Sequence, residues 1–261
     1  MAKTNQTAAP DFSFLNDDGL GGYGQLNHDV MSFPFLRVIQ DLSPQIKETK
    51  PEYIEGARPG MVFNTITNHI WDVNKGEPLR FIVGKFERYF IEWKPNRGGF
   101  AGAHDPLEIQ RMLDSNRLMI DDGRIVDPSN GNVYSDTFVY YVLLPDFMEE
   151  GVCLLSLSSS QLKVARKFNR NLMSTTIPGT RQRALPHHMI FKLTTPIVKN
   201  DKGEWHSVKI DFDEFVNPTI FLDVTEARKE LPEARPDLRA LEGSDGGEDG
   251  GTYDVEATGK F

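Results

Sequence analysis

A single cysteine, Cys153, serves the whole 261-residue chain. One thiol excludes an internal disulfide framework and any cysteine-based zinc cluster, and it fits a reducing compartment. Cys153 lies in the apolar run Gly151-Val-Cys-Leu-Leu-Ser-Leu157, where a small core residue is expected rather than a nucleophile. No stretch of about 18 apolar residues occurs, so no membrane-spanning helix is expected. The opening ten residues are polar and lack the apolar core of a secretory signal, which points to the cytoplasm. Cations are short as well: 29 Lys and Arg face 38 Asp and Glu, a net charge of −9.

Catalytic patterns are also missing. The six histidines (His28, His69, His104, His187, His188, His206) are dispersed, with no metal-binding His-Glu-x-x-His spacing. His187 and His188, neighbours on an expected strand, would point to opposite faces. No Gly-x-x-x-x-Gly-Lys-[Ser/Thr] loop exists to cradle phosphate, and no Gly-x-Ser-x-Gly elbow surrounds Ser158-Ser-Ser160. Asp121-Asp122-Gly123 resembles a carboxylate pair but reads as a hairpin turn. The expectation is a non-enzyme that needs no cofactor or metal.

What is present is a strong separation of charge. Residues 223–261 carry 11 acids against 5 bases, a net −6, which leaves −3 for the first 222 residues. The body is therefore nearly neutral and compatible with one basic face. From Gly243 to Phe261 the chain has six glycines, five carboxylates (Asp245, Glu248, Asp249, Asp254, Glu256) and little to bury. Such a composition cannot recover the entropy of ordering and is expected to stay mobile. A partner-docking peptide, with Asp249, Asp254, Glu256 and Phe261 as contacts, is one use. A polyanion competing for a basic groove is another, and a solubilising tail a third.

Three regions are expected: a flexible arm over 1–30, a β-rich body over 31–225, and an acidic, Gly-rich tail over 226–261. Apolar and β-branched runs bounded by turn residues predict strands near 33–39, 61–66, 79–93, 134–144, 152–157, 189–198 and 205–215. Two helices interrupt them. Asp105, Pro106 and Glu108 mark the start of one, with Leu107, Ile109, Met112 and Leu113 as its apolar face. The other spans about Gln161 to Met173, with Ser158 and Gln161 at capping-box spacing, and a weaker segment lies near Thr225–Leu231. The fold class expected is mainly β (α+β): a strongly bent antiparallel sheet or OB-like barrel with two helical insertions.

Two segments carry chemistry. Over residues 79–94, unbroken strand alternation places Leu79, Phe81, Val83, Tyr89, Ile91 and Trp93 on one face. Arg80, Phe86, Arg88, Phe90 and Lys94 fall on the other. Cations interleaved with aromatics suit single-stranded nucleic acid, in which rings, with Trp93 among the candidate contacts, stack on bases and cations follow phosphates. A loop with Arg97 and Phe100 follows and could close over a strand. A sandwich strand buried on both faces is the other reading of this segment. In the second helix, Lys163, Arg166, Lys167 and Arg170 share a face with no acid between Gln161 and Met173, and Arg181 and Arg183 follow downstream. A solvated basic face explains this equally; a polyanion partner explains it within an acidic protein.

Several segments resemble bacteriophage-encoded single-stranded DNA-binding proteins of podovirus type. They are Pro34-Phe-Leu-Arg-Val-Ile39, Glu55-Gly-Ala-Arg-Pro-Gly60, Glu92-Trp-Lys-Pro95 and Ser158-Ser-Ser-Gln-Leu-Lys-Val-Ala-Arg-Lys-Phe-Asn169, together with the acidic, aromatic-ended tail. The resemblance spans about residues 33–215. It implies sequence-tolerant binding of single-stranded DNA in phage replication, recombination or transcription, including service as an RNA polymerase cofactor. It also implies docking of a DNA or RNA polymerase through the tail, a home in the host-cell cytoplasm, and scope for homo-oligomers. The tail departs from that pattern in its sparser acids and in Lys260 beside Phe261. A non-catalytic adaptor or structural protein binding a protein partner is the alternative, and a metal-dependent nuclease with scattered carboxylates a more distant one.

Overall fold

The computed structural model describes residues 32–200, 203–229, 231 and 235–241, apart from the side chains of residues 97, 200 and 240. The expected arm, the tail contacts Asp249, Asp254, Glu256 and Phe261, and the Arg97 side chain lie outside the described residues.

Two long strands organise the body: β4 (Leu79–Trp93) and β8 (Val133–Leu143), which follow β1 (Leu36–Val38), β2 (Val62–Asn64), β3 (Ile70–Trp71), β5 (Phe100–His104), β6 (Met119–Asp121) and β7 (Arg124–Val126) as numbered along the chain. β9 (Val152–Ser158), β10 (Met189–Thr194), β11 (Ile197–Asn200), β12 (Gly203–His206) and β13 (Lys209–Phe215) complete the strands. Each long strand changes partner along its length. β4 pairs with β10 over Leu79–Ile82 and with β5 over Phe90–Trp93, while keeping β8 alongside from Ile82 onward. β8 pairs with β7 at Val133 and Tyr134 and with β9 over Thr137–Leu143. This exchange of neighbours curls an open antiparallel sheet of eight strands, with order β13-β10-β4-β8-β7-β6 and with β5 and β9 branching from it. The fold is mainly β, as the sequence implied.

Local chemistry explains the helices. α1 (Pro106–Asp114) starts where Asp105 accepts the Glu108 backbone N–H at 2.9 Å, with proline in the first turn. α2 (Leu162–Ser174) buries Leu162, Ala165, Phe168 and Leu172 against the sheet, and each large apolar side chain so buried contributes roughly 1.5–3 kcal/mol. The Ser158–Gln161 capping box does not form: neither side chain makes a cap hydrogen bond, and a 3-10 turn over Ser159–Gln161 leads into the helix. α3 (Pro218–Lys229) is the third α-helix among the described residues, and it starts seven residues ahead of the weaker segment expected near Thr225–Leu231. Its cap is Asn217, whose side-chain oxygen accepts the Ile220 N–H at 2.9 Å ahead of Pro218. The 225–226 boundary thus falls inside a helix, and packing continues to Leu238 and Leu241, both buried with Tyr89 and Tyr141.

Asp122 and Gly123 both take positive φ, and they close the β6–β7 hairpin expected from Asp121-Asp-Gly. The loop expected over residues 95–102 is shorter. After a turn at Pro95–Arg97, Gly99 at φ 91 reverses the chain and Phe100 already opens β5. The run from Met189 to Val198 breaks between β10 and β11, around Pro196, whose missing N–H cannot join a ladder. Cys153 is fully buried, and burial pushes its thiol up to about 12. His187 and His188 sit in a 3-10 turn, not on a strand.

Candidate nucleic-acid interface

Strand alternation in β4 is interrupted at Gly84, where the pairing with β8 slips between Val83 and Lys85. The end of α3 crosses the strand here, and an added Cβ at Gly84 would lie 3.1 Å from Leu231 Cδ1, so a larger residue would require that leucine side chain to shift. A bulge adds one residue and so reverses the phase of everything beyond it. The face that carries Leu79, Phe81 and Val83 before Gly84 carries Phe86, Arg88 and Phe90 after it. The expectation that Arg80 shares a face with Phe86 and Arg88 is therefore overturned: the bulge puts Arg80 on the other side.

On the first face, α2 packs through Phe168 against Phe81, Tyr140 and Phe191 at ring separations of 6.0, 5.3 and 4.8 Å. Beside the helix the sheet surface is open. Phe86 is 41% exposed there and leans on Phe138 and Tyr140, with centroids 5.4 and 5.1 Å away. The Tyr140 hydroxyl donates to Asn169 Oδ1 on α2 at 2.8 Å, and burial raises its pKa. Arg88 donates twice to Asp136, at 2.8 and 3.0 Å, and lies over the rings of Phe90 and Phe138. Asp136, with a side chain only 5% exposed, also faces Arg166 of α2 at 3.8 Å. Two cations thus share one buried carboxylate, and this node joins the sheet to the basic helix with one positive charge in surplus.

Along the outer side of α2, Lys163, Lys167 and Arg170 are exposed at i, i+4 and i+7, a single stripe. The following loop folds back on itself: Ile177 N–H donates to Gln182 O, and Ala184 N–H to Thr175 O, both at 2.9 Å. That places Arg181 and Arg183, both exposed, beside the C-terminal end of α2. Among the described residues none of these five cations has a carboxylate partner. The chain explains why. From Gly151 to Asn200 there is no acid in fifty residues, against eight Lys and Arg. That acid-free stretch is a signal wider than the helix itself, and it is visible in the order of residues alone.

The opposite face has a different character. Arg80 donates to Asp146 at 2.9 Å, to Asp213 at 3.0 Å and to Glu214, so three carboxylates surround one guanidinium. Trp93 and Phe100 meet edge to face at 6.2 Å within the cluster of Tyr89, Ile91 and Leu238. Lys94 is exposed at the end of β4. Phe90, on the first face, is 2% exposed and packed with Ile109, Ile125 and Tyr134, so its ring faces the core rather than solvent. The structure brings together Phe86, Arg88, Arg166, Lys163, Lys167, Arg170, Arg181 and Arg183, and it leaves Arg80, Trp93 and Phe100 apart from them. Asp136, Phe138 and Asn169 also belong to the site. Their roles depend on strand pairing and helix packing, which leave no local pattern.

Among the described residues no cluster of three or more His, Cys, Asp or Glu is placed to hold a metal ion, and no helix is long and apolar enough to cross a membrane. A family model described as Pam3 phage gp34-like protein matches residues 2–232. No curated protein and no solved structure matches the chain significantly.

Proposed function

The chain belongs to the Pam3 phage gp34-like protein family, and we propose that it binds single-stranded DNA without sequence preference, through α2 and the adjoining face of the sheet. One observation carries the reading. Lys163 with Lys167, and Arg166 with Arg170, are like-charge pairs at i, i+4, and among the described residues only Arg166 faces a carboxylate. Each such pair destabilises a helix by a few tenths of a kcal/mol. A stripe with that cost, in a chain of net charge −9, fits a polyanion that supplies the missing negative charge.

Phe86 adds a stacking platform beside the stripe, and base stacking is worth roughly 1–3 kcal/mol per base. Arg88 is held over its aromatic neighbours by Asp136, which fixes its guanidinium at the surface rather than leaving it free to swing away. On this reading affinity comes from phosphates and stacking. A protein of this kind serves phage replication, recombination or transcription in the host-cell cytoplasm, without catalysis.

Fluorescence titration with oligo-dT at 50 and 300 mM salt tests the reading. Affinity that falls steeply with salt is expected, since phosphate neutralisation releases counterions. Affinity that is absent, or indifferent to salt, refutes it and favours the adaptor that binds a protein.

A further inference from the structure

An apolar groove of about 600 Å³ opens beside the start of α3. Its lining comes from Ile177 and Pro178 of the loop after α2, from Phe215 and Val216 at the end of β13, and from Phe221 and Leu222 of α3. Leu222 is 68% exposed. Phe212, also exposed, continues the apolar surface, with its ring 5.3 Å from that of Phe215. Contiguous exposed apolar side chains of this kind mark an interaction site. The two flanks carry opposite charge. Arg181 and Arg183 belong to the loop that supplies Ile177 and Pro178, and both are exposed without a carboxylate partner among the described residues. Asp223 follows Leu222 on the exposed side of α3 and has no cation partner among the described residues, whereas Glu226 already holds Lys229.

A ligand of one charge sign would be attracted by one flank and repelled by the other. A second copy of the chain meets no such conflict. About a two-fold axis, residue i of one copy faces residue j of the other, and j faces i. Such an axis sets each basic loop against the other copy's α3, so both opposite-charge contacts form at once around a shared apolar centre. We infer that the groove between the 175–184 loop and α3 is a self-complementary interface that joins two copies of this chain, with Phe221 and Leu222 at its centre and Asp223 of each copy against Arg181 or Arg183 of the other. One acid facing two bases leaves a cation over at each contact, so pairing does not use up the positive charge of the loop. Interfaces confined to a patch of this kind bury less than about 1,200 Å² and are weak, so a dissociation constant on the order of micromolar is expected. A two-fold contact closes on itself, and assembly should stop at the dimer. The inference does not rest on the nucleic-acid reading and is tested without DNA.

Sedimentation velocity of the full chain across a micromolar concentration series should show monomer passing to dimer and no larger species. Leu222→Asp should weaken the pairing about tenfold or more, the loss expected when one leucine is kept from burial. Asp223→Arg sets like charge against like, and so does Arg181→Asp combined with Arg183→Asp; each of these variants alone should weaken the dimer about tenfold. Mixed in equal amounts the two should pair again, because each then offers the charge that the other needs at both contacts. All four positions are exposed, so the variants should fold, and circular dichroism checks that they do. A parent chain that stays monomeric throughout the series, an assembly larger than a dimer, a dimer indifferent to Leu222→Asp, or a mixture that pairs no better than its components would each overturn the assignment.

Discussion

Removing the stripe on α2 by Lys163→Ala, Lys167→Ala and Arg170→Ala isolates the electrostatic part of the proposed binding. These three side chains are exposed and without carboxylate partners among the described residues, so the folded state loses no ion pair. Alanine also relieves the Lys163–Lys167 repulsion, and stability should stay level or rise by a few tenths of a kcal/mol. Arg166 is left in place because Asp136 would otherwise lose one of its two cations. For single-stranded nucleic acid the slope of log K against log salt is about −0.7 per neutralised phosphate. Three lost contacts flatten the slope by about 2, which amounts to about a hundredfold weaker binding at 0.1 M salt relative to convergence at 1 M. Anisotropy of a labelled oligo-dT over a salt series reads the slope, and thermal unfolding by circular dichroism controls for the fold. An unchanged slope, or an affinity loss equal at every salt concentration, refutes the reasoning, since the stripe would then neutralise no phosphate.

Phe86→Ala should weaken oligo-dT binding by about 1–3 kcal/mol while leaving the salt slope intact, as the same titration shows. Arg80→Gln should leave oligonucleotide affinity unchanged, because its guanidinium is already enclosed by Asp146, Asp213 and Glu214; a loss of affinity would place DNA on the other face of the sheet. Phe168→Ala removes the ring that α2 seats between Phe81, Tyr140 and Phe191, and urea unfolding should record a loss of about 3–5 kcal/mol. His187 is 7% exposed, accepts a hydrogen bond from Arg228 at 3.1 Å, and is lowered to about 4 by burial and then by the Arg228 charge. Between pH 6.5 and 4 the unfolded chain takes up a proton that the folded chain refuses, so stability falls as pH falls through this window. The bound on that loss is about 3 kcal/mol. Urea midpoints at pH 7 and 4.5 should differ less in His187→Gln than in the parent chain.

Much of the architecture was legible along the chain because its causes are local. The runs at 79–93 and 134–144 became β4 and β8 almost residue for residue, since β-branched and aromatic side chains at those densities have no other place to be buried. Asp105-Pro106 started α1 because the cap and the missing proline donor act within one turn. Asn217-Pro218 carries the same signal for α3, yet that helix was expected to begin near Thr225. The cations of α2 were legible for the same local reason, since helical spacing alone puts Lys163, Lys167 and Arg170 on one side.

The sequence by itself determined a mainly β body, a basic helix in an acid-free stretch, and an acidic end with a terminal aromatic residue. Tertiary structure decided which aromatics and cations share a surface. Strand alternation assigns faces only while pairing stays in register, and whether register slips at Gly84 depends on how the strand pairs with β8. That slip moved Arg80 away from Arg88. Three carboxylates from two distant segments then neutralised Arg80, whereas one buried Asp136 served both Arg88 and Arg166. A charge written in sequence is available to a ligand only if the fold leaves it without a partner, and partners from distant segments are chosen when the chain packs.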